Sequence, residues 1–172
     1  ILGGSYIGLE FAQIFSRFGS RVTILQRGPR IIGGEDPDIS EAIATMLREE
    51  GIQIRTSTGV SRVDPSDSGI TVTLSGGETL SGTHLLIATG RVPNSDDLGL
   101  ESIQVATDQH GYITTDEHFL TSVPGVYAVG DVNGRGAFTH TSYQDGEILA
   151  DHLGGGSRSV ANRIPTYALF TD

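Results

Sequence analysis

The run Gly3-Gly4-Ser5-Tyr6-Ile7-Gly8 lies between a short apolar start, Ile1-Leu2, and a stretch with helical spacing, and it constrains this chain more than any other feature. A glycine at position 3 lets the backbone turn tightly out of a strand, and one at position 8 lets a helix lie close against that strand. The first N–H groups of the helix then point unpaired toward a ligand, backed by the positive end of the helix dipole, which suits a pyrophosphate. Ser5 stands where the G-x-G-x-x-G pattern has its middle glycine, so a hydroxymethyl group sits at the position of closest phosphate approach, and its hydroxyl is a candidate donor. Taken alone, the run also fits a glycine-rich turn that merely supports a helix.

The residues that follow favour dinucleotide binding. Ile7, Phe11, Ile14, Phe15 and Phe18 recur at helical spacing, and Gly19 is placed to cap the helix. Residues 21–26 are β-branched and read as a strand. Asp36-Pro37 opens a second helix with the stripe Ile39, Ile43, Met46 and Leu47, and Gly51 ends it. Residues 52–56 form a further strand; residues 60–63 and 70–74 alternate about a Ser-Asp-Ser-Gly turn, and Thr79-Leu80 completes an antiparallel meander. Residues 84–88 read as a buried strand closing the unit. This order predicts an α/β fold: a Rossmann-like domain with a parallel sheet, right-handed crossovers and an antiparallel meander. Beyond it, residues 91–123 are turn-rich, and residues 126–129 read as another buried strand, ended by Gly130-Asp131. Residues 140–153 read as a helix with Ile148, Leu149 and Leu153 on one face, Gly154 to Ser157 as a flexible break, and residues 164–170 as a strand without a partner.

Composition removes several chemistries. The 172 residues include no Cys, so there is no thiol nucleophile, disulfide framework or thiolate metal site. All 11 basic residues are Arg, which excludes Schiff-base catalysis and a Walker-type lysine. The net charge of −10, without a basic run, argues against nucleic acid and anionic membranes as partners. No apolar stretch approaches the roughly 20 residues needed to span a bilayer. A cytoplasmic location is the default expectation. His84, His110, His118 and His152 lack ligand spacing, so no metal site is expected.

In a dinucleotide fold the second strand ends at the group that selects the ribose. An acid there holds the 2′-OH of NAD, whereas arginine accommodates the 2′-phosphate of NADP. Here the strand ends Gln26-Arg27-Gly28-Pro29-Arg30, with no acid and two arginines. The pattern leans mildly to NADPH, with two solvated loop arginines as the alternative.

Two later stretches point to a class. Residues 87–94 (Ile-Ala-Thr-Gly-Arg-Val-Pro-Asn) and residues 121–131 (Thr-Ser-Val-Pro-Gly-Val-Tyr-Ala-Val-Gly-Asp) resemble motifs of the flavin-dependent pyridine nucleotide–disulfide oxidoreductases, closest to the mercuric-reductase-like and dihydrolipoamide-dehydrogenase-like branch. With Gly3 to Glu10 they stand in family order and spacing, and the resemblance covers essentially the whole chain. It implies an interior piece in which residues 1–90 are the NAD(P)-binding domain, residues 91–155 the second part of an FAD-binding domain, and residues 156–172 a linker and the start of a dimerisation domain. FAD and NAD(P)H would be the cofactors and a homodimer the parent assembly. Asp131, beside Gly130, would accept hydrogen bonds from the ribityl chain or neighbouring hydroxyls of FAD. Glu10 would contact the nicotinamide amide, and Gly90 would lie near the dinucleotide. Ala137, Phe138, Thr139 and His140 would bring backbone N–H groups to the flavin pyrimidine edge, where a helix N-terminus stabilises negative charge.

The implied reaction passes a hydride from NAD(P)H to flavin and on to a disulfide or another, unknown acceptor. No residue here is assigned as catalytic: the redox-active Cys pair, the first FAD-phosphate motif and the His/Glu pair of the family lie in segments this chain does not contain. The chain alone is therefore expected to be inactive. Two rival readings remain: a flavin-free NAD(P) dehydrogenase, and a non-catalytic dinucleotide-binding module.

Overall fold

A computed structural model describes residues 1–67 and 69–172, so Ser68, in the turn expected at residues 66–69, lies outside the described residues. The chain divides into two compact units, residues 1–90 with residues 169–172, and residues 91–168.

In the first unit, Tyr6–Arg17 (α1) leads to Thr23–Leu25 (β1), Pro37–Glu49 (α2) and Gln53–Arg55 (β2). The strands β1 and β2 run parallel, with Ile24 opposite Ile54. Leu2 bridges both Leu25 and Ile87 in parallel sense, which sets the order β2, β1, residue 2, residue 87. Glycines end both helices where the backbone must turn left-handed: Gly19 has φ +90° and Gly51 φ +86°. Val60–Ser66 (β3), Gly69–Leu74 (β4) and Thr79–Gly82 (β5) form the antiparallel meander, as their alternation predicted.

Strand alternation sends neighbouring side chains to opposite faces of the sheet. Ile24 joins Leu9, Ala12, Ile31, Ile32, Leu47 and Ile52 on the helical side. Leu25 joins Val72 and Leu74 of the meander on the other. The unit is therefore three-layered, helices, parallel sheet and meander, and Arg55 of β2 holds Glu78 beside the meander in a bidentate pair at 2.7 and 2.6 Å.

The apolar stripe of α1 faces outward. Ile7, Phe11, Ile14 and Phe15 are 41–45% exposed and Phe18 is 86% exposed, whereas the buried residues are Gly8, Leu9, Ala12 and Gln13. The reason is steric: α1 meets the strand–turn junction so closely that only its small-residue face fits there. A correction concerns residues 84–88, which form no buried strand. They make one bridge at the sheet edge, and Ile87 is 66% exposed.

The second unit has a small core of Val105, Ile113 and Ala128, with Leu100, Val123, Val126 and Val132 against it. Its one long helix is Thr139–Leu153 (α3), near the expected bounds. Residues 126–129 are not a buried strand either: Tyr127 makes a single bridge to Leu120, only Ala128 is buried, and Val129 is 39% exposed. On α3, Ile148 is buried but Leu153 is 63% exposed, because the inward face is built on Thr141 and Asp145. Residues 164–170 form no strand; their last two residues belong with the first unit, along α1.

Candidate functional site

The glycine turn is closed by backbone contacts that no side chain allows. Gly3 has φ +104°, and a Cβ there would lie 2.2 Å from the Ala88 carbonyl oxygen. A Cβ at Gly8 would lie 2.1 Å from the Gly3 carbonyl oxygen. Ser5 is the N-cap of α1, and its side chain makes no capping bond and is exposed. Gly4 donates its N–H to Gln26 Oε1 at 3.0 Å, and its carbonyl accepts the Ile32 N–H at 2.6 Å. Gln26 thus braces the turn from the end of β1. Tyr6 donates its hydroxyl to Glu35, tying the loop before α2 to the same corner.

Gly3, Gly4, Ser5, Tyr6, Ile7 and Gln26 therefore gather at one strand–helix junction. Arg27 and Arg30 follow on the exposed loop, and neither enters an ion pair among the described residues. Arg30 and Arg48 line a small cavity of about 70 Å³ with Ser40 and Thr56. Glu10 sits further along α1, half-buried, and its Oε1 accepts the Phe170 N–H at 3.0 Å. Gly90, with φ +117°, ends the unit's run of chain.

In the second unit the Gly130–Asp131 turn opens on a cleft of about 540 Å³ lined by Arg91, Asn94, Tyr112, Asp131 and Ala137 among others. Gly130 has φ +81° and Asp131 starts a short 3₁₀ turn. The Asp131 carboxylate accepts from Arg91 at 2.8 Å and from the Ser142 hydroxyl at 3.1 Å. Arg91 also donates to the Ala137 carbonyl at 3.1 Å, closing one side of the cleft. Gly134 and Gly136 line the wall, and side chains there would collide with the protein itself: a Cβ at Gly134 would lie 3.0 Å from the Tyr112 ring, and one at Gly136 would lie 2.9 Å from Thr141.

Thr139 begins α3, and the Thr141 hydroxyl caps it by accepting the Phe138 N–H at 3.1 Å. His140 stacks on Phe138 and its Nε2 pairs with the Thr166 carbonyl oxygen at 2.5 Å. Its ring therefore has a structural engagement away from the cleft lining.

Three features were missed in the sequence. Arg91, adjacent to Gly90 in a quoted motif, pairs with the acid that motif-reading singled out. Asp145 and Arg163 form an ion pair with side chains 3% and 9% exposed. Asp145 also accepts from the Gly130 N–H at 2.9 Å and from Asn133 at 2.8 Å, so it stands directly behind the Gly130–Asp131 turn. Gln13 is buried on α1 and bonded to the chain's last residue. The spacing of Thr141, Asp145 and Ile148 was the available signal for Asp145. Among the described residues no group of three or more His, Cys, Asp or Glu could hold a metal, and no helix is long and apolar enough to cross a membrane.

A three-layer unit with a glycine turn at its first strand–helix junction places the chain among the Rossmann-like dinucleotide-binding folds. It belongs to the pyridine nucleotide-disulphide oxidoreductase family, whose pattern matches residues 1–146. The chain is 39% identical to a glutathione reductase of Burkholderia cepacia over 91% of its own length and 35% of that protein. It is 41% identical to a mercuric reductase of Streptomyces lividans over 93% of its length and 34% of that protein. The solved structure of the HOCl-induced flavoprotein disulfide reductase RclA from Escherichia coli superimposes with a TM-score of 0.91 at 37% identity, over 98% of this chain and 39% of that one. The chain thus spans little more than a third of the length of these relatives.

Proposed function

We propose that this chain is the NAD(P)H-binding region and the second part of the FAD-binding domain of a flavin-dependent NAD(P)H oxidoreductase. The observation that carries the reading is the glycine closure at the start of α1, where positions 3 and 8 admit no Cβ and the helix N-terminus has no side-chain cap. Residues 1–90 are assigned to NAD(P)H, residues 91–155 to the flavin, and residues 156–172 to the approach to a dimerisation domain. The parent protein is proposed to be a cytoplasmic homodimer acting on a disulfide or another electron acceptor.

Both sets of residues fit their ligands. Ser5, Tyr6 and Ile7 present backbone N–H groups to the dinucleotide pyrophosphate, while Gly3 and Gly4, whose N–H groups bond Leu25 and Gln26, shape the turn beneath it. Arg27 and Arg30, exposed and outside any ion pair among the described residues, are placed for a 2′-phosphate, which favours NADPH. Glu10 accepts a hydrogen bond from the nicotinamide amide, and Gly90 leaves room for the dinucleotide. In the second unit, Gly134 and Gly136 line the cleft, and their lack of side chains lets Tyr112 and Thr141 pack close behind its wall. Asp131, polarised by Arg91 and Ser142, accepts from flavin hydroxyls, and residues 137–140 bring the start of α3 toward the ring. Bound there, FAD supplies the two-electron chemistry, and the protein supplies position and electrostatics.

Calorimetric titration of the chain with NADPH and NADH tests the proposal. One saturable site is expected, lost in Gly8→Val, whose side chain would collide with the Gly3 carbonyl. Failure of the wild-type chain to bind either nucleotide would refute it.

A further inference from the structure

Gln13 lies on the buried face of α1, 3% exposed, beside Gly8, Leu9 and Ala12. A primary amide in such a place is costly unless its hydrogen bonds are made. Gln13 makes them with the backbone of the last residue: Nε2 donates to the Asp172 carbonyl at 2.6 Å, and Oε1 accepts the Asp172 N–H at 3.2 Å. This is the reciprocal pair that a neighbouring strand would offer. Nε2 also donates to Glu50 Oε1 at 2.8 Å. Arg17, one turn further along, donates to the Asp172 carboxylate at 2.7 Å, to its carbonyl at 2.5 Å and to Glu50 at 2.9 Å. That guanidinium holds the Glu50 carboxyl below its usual range. Leu169 seats against the core beneath α1, whereas the Phe170 side chain is 80% exposed. Apart from Leu169 and the Asp172 carboxylate, the segment is held by its backbone. The same segment gives the Phe170 N–H to Glu10. Glu10, Gln13 and Arg17 follow at i, i+3 and i+7, which places them along one side of the helix.

We propose that Gln13, Arg17 and Glu50 form a clamp for residues 169–172, and that the clamped segment orients Glu10 toward the nicotinamide end of the bound dinucleotide. The inference rests on the role of Glu10 proposed above. A glutamate on a helix surface rotates freely about its last torsion. With Oε1 engaged by Phe170, the carboxylate is fixed and Oε2 is presented to an amide N–H. Gln13 touches no ligand; it is a positioning residue that acts through the strap.

The test compares each nucleotide with its counterpart lacking nicotinamide. The purified 172-residue chain is titrated calorimetrically with NADH, NADPH, ADP-ribose and 2′-phospho-ADP-ribose. Gln13→Leu is expected to weaken both nicotinamide nucleotides roughly tenfold, about the worth of one hydrogen bond to a charged group, and to leave both ADP-ribose ligands unchanged. Glu10→Gln should give a similar selective loss, and the double variant should add little to either single change. Hydrogen exchange at residues 169–172 should accelerate in Gln13→Leu. Equal losses for nucleotides and ADP-ribose ligands, or fully additive losses in the double variant, would overturn the clamp while leaving Glu10 in place. A wild-type chain that binds ADP-ribose as tightly as NADH, and 2′-phospho-ADP-ribose as tightly as NADPH, would instead refute the Glu10 role and the inference with it. Should Gln13→Leu fail to fold, the surface change Arg17→Ala carries the test, with a smaller selective loss expected.

Discussion

Replacing Asp145 by Asn removes one charge from the least exposed ion pair among the described residues and leaves Arg163 buried against a neutral amide. The carboxylate collects three donors: the Gly130 N–H at 2.9 Å, Asn133 Nδ2 at 2.8 Å, and Arg163. Arg163 has other bonds, to the carbonyl oxygens of Arg135 at 2.8 Å and Thr141 at 3.4 Å, but none to another anion. Asn offers one acceptor oxygen where the carboxylate offered two, and turns an NH₂ toward groups that are themselves donors. Breaking a buried pair from one side costs about 3–5 kcal/mol. Against a typical domain stability of about 5–15 kcal/mol, that is a large part of what holds the second unit together. Urea denaturation followed by circular dichroism measures the loss, and hydrogen exchange over residues 128–148 assigns it to this unit. Removing the second charge as well, Asp145→Asn with Arg163→Met, should be milder than the single change, because no charge is then left uncompensated and the amide oxygen introduced at position 145 still accepts from Gly130 and Asn133. A loss below about 1 kcal/mol for Asp145→Asn, well short of that range, or a double variant as unstable as the single one, would refute the reasoning.

Two further outcomes follow from exposed groups. Changing Arg27 and Arg30 to Ala should weaken NADPH binding about tenfold or more per arginine while sparing NADH, since each charge-assisted contact is worth roughly 1.5–3 kcal/mol; equal losses for the two nucleotides in a titration would remove both residues from the selector role. The Glu78 carboxyl is held below its usual value by its hydrogen bonds to Arg55, against a smaller opposing effect of desolvation. A folded value below the unfolded one means the stabilisation is complete above the ordinary carboxylate range and is lost as pH falls through the lowered value. Thermal melts across that range should therefore decline less steeply on the acid side in Glu78→Gln than in the wild-type chain, and superimposable pH profiles would show that the pair contributes nothing.

The layers of the first unit were legible because each is encoded by local chemistry. Gly19 and Gly51 stand where helices must leave through the left-handed region, and Pro37 stands at the first position of α2. Alternation in residues 60–74 placed the meander, and the register Val63–Val72 follows from it. Gly3 could be assigned to a tight turn and Gly8 to close helix–strand packing from the motif, and a Cβ at either position would strike a backbone carbonyl oxygen. The two expected buried strands failed for a common reason. Residues 84–88 and 126–129 have the composition of fully covered strands, but each makes a single bridge here, and a run of apolar residues specifies what must be covered without specifying what covers it.

The outward apolar face of α1 separates two kinds of information that both look like helical periodicity. Large apolar residues at i, i+4, i+7 and i+8 report a surface that avoids water, whereas Gly8 and Ala12 report how near the backbone comes to its neighbour. When both patterns occupy one helix, the closest contact goes to the small residues, since a helix cannot approach a strand across Phe11 and Phe15 as it can across Gly8. The polar residues behind the proposed sites escape periodicity for a different reason. Gln13 reads as a solvent residue until Asp172, 159 positions away, supplies its partners. Asp145 reads as the polar side of α3 until Arg163, 18 positions on, is brought beside it. Buried polar groups are tolerated only as completed sets of donors and acceptors, and a set completed across the chain leaves no signal at either residue alone.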